Sequence, residues 1–239
     1  MKAGRRSFGG GVHPPERKSQ AESLPIEVLP TPKLISVPLL QHLGAPCDAL
    51  VKNREEVTVG QVIGRSEAPI SAPVHSSVEG TMAKPSVATL PNGRHVASLP
   101  IKVAAEQSLE GRDLFDDHFG GSWPVAETAE QTPESIIDAV REAGLVGLGG
   151  AAFPTWIKLR RNPERPVDTL LVNGCECEPY LSADNRLMIE AASPVISGAL
   201  LAARAAGAER IVVSIEDNKP EALAAMREAA AGTGVEVSS

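Results

Sequence analysis

The sequence predicts a multi-domain α/β chain, in which a small all-β module is followed by a domain of alternating strands and helices. Two observations set that class. Short Val/Ile runs separated by turn residues fill the N-terminal part, whereas from Thr132 onward strand and helix patterns alternate. The 239 residues are 42% hydrophobic but only 3% aromatic. Packing therefore rests on Val, Leu, Ile and Ala, as it does in sheets covered by Ala-rich helices.

Residues 1–32 are rich in Gly, Pro and charge, lack periodicity, and read as an extended arm that wraps over something else. Residues 33–105 are the β module. Its expected strands include Leu34 to Val37, Val57 to Gly60 and Ile70 to Pro73, with a hairpin-like turn at Pro91-Asn92-Gly93. Residues 106–131 are polar, contain Gly120-Gly121 and Trp123-Pro124, and read as a linker.

Residues 132–239 form the α/β domain, expected to be incomplete at its C-terminus. Thr132 can cap a helix that has Pro133 at its first position, Ile136, Ile137 and Val140 on one face, and Gly144 just past its end. A buried strand from Thr169 to Val172 leads to a long Ala-rich helix from about Arg186 to Gly207. Ile211 to Ile215 is a second strand. Asn218-Lys219-Pro220 opens a further helix that stops at Gly232, and Val235-Glu236-Val237 begins a third strand. The β-α-β-α-β order implies a parallel sheet with right-handed crossovers. So narrow a sheet leaves an edge exposed, which a continuing chain or a partner would complete.

Charge and composition exclude several functions. Lys and Arg number 23 against 30 Asp and Glu, a net charge of -7, and no basic stripe is interleaved with aromatics, so nucleic acid is not an expected partner. The longest apolar run, Ser193 to Ala208, is interrupted by Arg204 and falls short of the roughly 20 residues of a bilayer span. The basic N-terminus lacks the apolar stretch of a signal peptide, so a cytoplasmic location is expected. The 3 cysteines, Cys47, Cys175 and Cys177, read as thiols of a reducing compartment. No metal site is expected, because a C-x-C pair supplies too few ligands and the five histidines show no ligand spacing.

Two stretches carry chemistry. In the first, Gly147-Leu148-Gly149-Gly150-Ala151-Ala152-Phe153-Pro154-Thr155, three glycines let the backbone approach a ligand closely and Pro154 can open a helix whose free N–H groups face an anion such as phosphate. No Gly-Lys-Ser/Thr follows, and the preceding element is a helix, so neither a Walker A loop nor a dinucleotide fingerprint is implied. A flexible turn between helices is the plainer reading. The second, Asn173-Gly174-Cys175-Glu176-Cys177-Glu178-Pro179-Tyr180, directly follows a strand and sets an amide and two carboxylates where parallel sheets collect ligands. Here the plainer reading is a solvated acidic loop. No residue is singled out as catalytic.

Together these stretches resemble the FMN-binding core of the 51-kDa subunit of respiratory complex I. Nearly the whole chain is similar to the C subunit of the Rnf electron-transport complex (RnfC, also called RsxC), which adds matches at Phe8 to Pro15 and at Pro38 to Pro46. The resemblance implies a barrel-sandwich hybrid of biotinyl/lipoyl type followed by a truncated, Rossmann-like FMN-binding domain. It further implies that Gly147, Gly149 and Gly150 line the flavin phosphate and ring and that Lys158 bonds the flavin. Asn173, Glu176 and Glu178 would lie beside the isoalloxazine and ribityl groups, and Phe153 near an incoming nicotinamide nucleotide.

The activity so implied is electron transfer in an ion-translocating NAD:ferredoxin oxidoreductase. FMN and NAD(H) would act in this chain, and [4Fe-4S] clusters in a C-terminal region missing from it. The implied partners are the other membrane subunits, which would attach it peripherally to the cell membrane, and ferredoxin indirectly. The chain departs from the family at Cys175, at Asn53-Arg54-Glu55 and at Trp156, where complex I has Gly. Alternative readings are a flavin-dependent cobalamin reductase of the propanediol-utilisation type, a docking or carrier module, and an inactive remnant. Val57 to Ile63 and Ser71 to Thr81 resemble the halves of a biotinyl/lipoyl domain, but Gly64 to Pro69 between them offers no Lys for covalent modification.

Overall fold

The computed structural model describes residues 14–121, 123 and 125–239; positions 8–13 of the Phe8-to-Pro15 motif, and Pro124, lie outside the described residues. The β module comprises β1 (Leu34–Pro38), β2 (Asp48–Ala49), β3 (Glu56–Val57), β4 (Val62–Arg65), β5 (Val74–His75), β6 (Gly80–Met82), β7 (Ser86–Thr89) and β8 (His95–Val103). β8 organises the larger antiparallel sheet, pairing with β1, β6 and β7, while β2, β4 and β5 form a second, smaller antiparallel sheet. The two share one aliphatic core, with Ile63, Val74, Leu99 and Ile101 at its centre. This is a sandwich without a closed barrel among the described residues. Ser98, buried in β8, shares hydrogen bonds with the Ser36 hydroxyl at 3.0 Å and the Ser86 hydroxyl at 2.9 Å, which satisfies a polar group inside that core.

Two of the expected strands differ. Val57 ends β3, and Val59-Gly60 turns with Gly60 at φ 77, so the strand resumes only at Val62. Ile70 to Pro73 is irregular and pairing begins at Val74, because Pro73 has no N–H for a ladder.

Residues 106–131 hold more structure than their polarity suggests. They contain α1 (Gly111–Phe119) and α2 (Val125–Glu130). Phe115 anchors α1: it is buried, packs on Phe119 with ring centroids 5.3 Å apart, and lies under the Arg112 guanidinium at 4.2 Å. An i, i+4 aromatic pair is enough to hold one face of a short helix.

The α/β domain begins with α3 (Pro133–Glu142), where the Thr132 side chain accepts from the Ser135 amide and Ser135 returns a bond to the Thr132 amide, a full capping box. There follow α4 (Thr155–Leu159), β9 (Thr169–Gly174), α5 (Ala183–Glu190), α6 (Ala192–Ala206), β10 (Arg210–Ile215), α7 (Pro220–Ala230) and β11 (Glu236–Ser238). The three strands are parallel in the order β11-β10-β9, with Ile196, Val213, Ile215 and Met226 at the centre of their core.

The single long helix expected from Arg186 to Gly207 is instead α5 and α6, bent by 97° at Ala191. Pro194 supplies the reason: in a continuous helix its ring would meet the Glu190 carbonyl, and it has no N–H to donate there. Breaking at Ala191 moves Pro194 into the first turn of α6, where proline is tolerated. No single described helix is long and apolar enough to cross a membrane.

The two modules meet along the connection from β4 to β5. Trp156 of α4 is buried and its indole N–H donates to the Ser71 carbonyl at 3.2 Å. Arg65 forms a two-pronged ion pair with Glu142, at 2.6 and 3.1 Å. At Gly144, with φ 66, an added Cβ would stand 2.3 Å from the Pro73 carbonyl oxygen, so the close approach requires glycine twice over.

Candidate flavin site

The glycine loop is pinched at its base. Val146 and Pro154 form an isolated antiparallel bridge, the Gly147 amide donates to the Phe153 carbonyl at 2.9 Å, and the Thr155 amide donates to the Leu145 carbonyl at 2.9 Å. The β module supports it through the Leu43 amide, which donates to the carbonyl of Ala152 at 3.0 Å, a residue held at φ 51. Between these points residues 148–151 form a turn, and no amide from Leu148 to Phe153 makes a close, well-aligned hydrogen bond among the described residues. A Cβ added at Gly149 or Gly150 would meet nothing within 4 Å, and Leu148 is 92% exposed.

Lys158 returns to this loop from α4. A Cβ at Gly147 would lie 2.7 Å from the Lys158 Nζ, so the ammonium sits directly over that glycine. Amides without a close hydrogen bond, space above two glycines and one cation are what a phosphate monoester needs. The residues present thus fit the phosphate end of FMN. Phe153 is half-buried beside the pinch, and its carbonyl closes the loop.

The acidic loop lies at the carboxyl end of β9. Asn173 and Gly174 are the last residues of that strand, and the Asn173 side-chain oxygen accepts from the Cys175 amide at 3.0 Å. Glu178 is exposed and makes no hydrogen bond or ion pair among the described residues. The Cys175 thiol points to the Ser214 carbonyl at 3.7 Å and the Cys177 thiol to the Glu216 carboxylate at 3.8 Å. That carboxylate is the main cause that raises the Cys177 pKa.

Glu176 sits differently from its neighbours. It is 3% exposed, its Oε1 accepts from the Asp184 amide at 2.8 Å, and its Oε2 lies 3.1 Å from Lys219 and 3.7 Å from Lys18. Burial alone would raise its pKa; the Asp184 amide and the two lysines outweigh that and lower it. Among the predicted site residues the structure therefore brings Gly147, Phe153 and Lys158 together on one loop and Asn173, Glu176 and Glu178 on the other. No hydrogen bond or ion pair joins the two groups among the described residues.

Lys18 and Lys219 were not singled out from the sequence. Lys219 carried a signal: as the residue before the helix-opening Pro220, it puts a cation at the positive end of α7, which is unfavourable unless a carboxylate lies close by.

Comparison with known proteins matched two domain models to this chain. Residues 140–238, most of the α/β half, match the Nuo51 FMN-binding domain of the complex I 51-kDa class. Residues 6–106 match the RnfC barrel sandwich hybrid domain. The chain is similar to the complex I 51-kDa subunit and to the RnfC family over these two domains respectively.

Among curated relatives, it is 39% identical over 222 residues to the C subunit of the ion-translocating oxidoreductase complex of Edwardsiella ictaluri, covering 93% of this chain and 26% of that one. It is 36% identical over 232 residues to the C subunit of the proton-translocating ferredoxin:NAD(+) oxidoreductase complex of Clostridium ljungdahlii, covering 97% of this chain and 49% of that one. The C subunit of the Na(+)-translocating ferredoxin:NAD(+) oxidoreductase complex of Acetobacterium woodii is 36% identical over 220 residues, covering 92% of this chain and 48% of that one. The chain spans about half or less of the length of these relatives. A NAD+-reducing [NiFe]-hydrogenase in its H2-reduced state is 29% identical over 52% of this chain and 24% of that one, with a TM-score of 0.41.

Proposed function

We propose that this chain holds FMN between its two loops and presents it to NAD(H), as the flavin-binding part of an Rnf-type NAD:ferredoxin oxidoreductase. The observation that carries this reading is the glycine loop, with its amides from Leu148 to Phe153 lacking close hydrogen bonds and the Lys158 ammonium over Gly147, inside the segment matching an FMN-binding domain. FMN, when bound, would supply hydride exchange with a nicotinamide and single-electron release.

In this reading Gly147, Gly149 and Gly150 keep the backbone open to the phosphate, and Lys158 neutralises its charge. Asn173 and the exposed Glu178 are the acidic loop's groups nearest the flavin ring and ribityl chain, and Phe153 borders the nicotinamide's approach. The β module serves as a platform: in the interval where a carrier domain would project its modified lysine, Arg65 pairs with Glu142, and just beyond it Ser71 and Pro73 dock against Trp156 and Gly144. Electrons would leave to [4Fe-4S] clusters outside these residues, since 3 cysteines cannot supply the four thiolates such a cluster generally takes. The names of the relatives support partner subunits in a membrane complex, with attachment to the membrane through them.

The test is flavin identity. Flavin released from the denatured protein should chromatograph as FMN, and Gly149→Val, which puts a branched side chain over the open loop, should abolish its binding while the fold survives. FAD, or flavin content unchanged in Gly149→Val, overturns the reading.

A further inference from the structure

We infer that the N-terminal arm is a strap that positions the acidic loop, locked by Lys18 and Lys219 on Glu176, and that flavin affinity depends on it. This rests on the flavin reading above: Glu176, which the family resemblance puts beside the flavin, acts instead through the loop's geometry, as a positioning residue.

The arm is fastened at three points. Lys18, 8% exposed, donates to the Glu176 backbone carbonyl and pairs with its carboxylate. The Glu16 carbonyl accepts from the Tyr180 amide at 2.8 Å, and Tyr180 holds the left-handed conformation, φ 68, that a bulky residue adopts only under constraint. The Ile26 amide donates to Glu190 at 3.0 Å, and Glu190 is itself held by Arg186 at 2.6 Å. These fastenings span the segment from Glu176 through α5. Between them Glu178 stays exposed, so the arm fixes the base of the loop and leaves its tip presented.

The charge arithmetic makes Lys18 a removable part. Two lysines converge on one carboxylate, so losing Lys18 leaves Glu176 and Lys219 as a one-to-one pair and strands no buried charge. What is lost is the arm's grip. Small displacements of groups that face a cofactor weaken binding out of proportion to the fold's stability.

The experiment compares the full chain with Lys18→Met and Lys18→Arg, using FMN titration followed by flavin fluorescence, and hydrogen exchange over residues 174–190. Lys18→Met should weaken FMN binding at least tenfold, shift the bound flavin's visible spectrum, and speed exchange at Tyr180 and Asp184, with β10 and the β module unchanged. Lys18→Arg, which keeps the cation, should recover most of the affinity. Unchanged affinity and loop exchange in Lys18→Met overturn the proposal. Loss of protection throughout the sheet also overturns it, because a strap acts on its loop alone, and so does failure of Lys18→Arg to recover binding in an intact fold. If Gly149→Val still abolishes binding while Lys18→Met is silent, the strap falls and the flavin reading stands; if Gly149→Val is silent too, the flavin reading falls. Exchange at Tyr180 decides on the strap in either case.

Discussion

Trp156 and Ser71 join the two modules through one hydrogen bond, from the indole N–H to a backbone carbonyl 3.2 Å away. The structure gives this large side chain a purpose. It fills the seam above the β4–β5 connection, flanked by the Arg141 and Arg160 guanidiniums at 5.0 and 5.4 Å from its ring. Because α4 carries both Trp156 and Lys158, the seam also orients the cation that faces the glycine loop.

Trp156→Phe keeps most of the apolar contact and removes the hydrogen bond, so it should cost about 1 kcal/mol. Trp156→Ala opens a cavity in the seam and should cost about 3–5 kcal/mol. Urea denaturation measures both. Equal losses for the two variants would mean that packing contributes nothing there.

Gly144→Ala tests the same seam from the backbone. A left-handed residue with a Cβ costs about 1–2 kcal/mol before any contact is counted, and here the Cβ also meets the Pro73 carbonyl at 2.3 Å. The thermal midpoint should fall clearly. A midpoint equal to wild type would show that the modules separate freely.

The two glutamates of the acidic loop should behave oppositely. Glu176→Gln leaves Lys18 buried without a counter-charge and Lys219 with Glu216 alone, 3.5 Å away, and should cost about 3–5 kcal/mol in urea unfolding. Glu178→Gln alters an exposed group and should stay within about 0.5 kcal/mol. The sequence showed two alternating carboxylates but not which faced inward, because Lys18 lies 158 positions from Glu176 and no local pattern encodes that meeting.

Other features were legible where they depend on neighbours in the chain. The α3 cap is written in Thr132, Pro133 and Ser135, and the start of α7 in Lys219-Pro220. The break at Ala191 was also present locally, as Pro194, but the unbroken run of helix-forming residues around it masked the signal. The helix α1 was obscured for the reverse reason: a polar segment needs only Phe115 to find a buried place, and burial is a property of the fold. At the site, glycine content signalled the loop, whereas the Lys158 amine over Gly147 needed α4 to be placed first.

Acid should loosen the acidic loop before the sheet. The Glu176 pKa is lower when folded, so its contribution is present above the ordinary glutamate pKa of about 4.3 and is lost as pH falls through the folded value. Asp184 and Glu216 are the other carboxylates nearby. Hydrogen exchange at Tyr180 and Asp184 should therefore accelerate below about pH 4, ahead of β10. Simultaneous acceleration in both would assign the acid transition to global unfolding.

Gly147→Ala separates the Lys158 cation from the rest of the glycine loop. Gly147 is absent from the positive-φ residues, so alanine can adopt its backbone, and the atom its Cβ would meet at 2.7 Å is the far end of a flexible lysine. The lysine can swing aside, which keeps the stability change below about 0.5 kcal/mol, the usual range for a change without core consequences. The amine then no longer stands over the loop. A hydrogen bond to a charged group contributes about 1.5–3 kcal/mol, so FMN should bind roughly 10- to 100-fold more weakly. Lys158→Met should give a similar loss, and the double variant should add little to either, because both changes remove the same contact. Additive losses in the double variant would mean that Gly147 touches the flavin independently of Lys158.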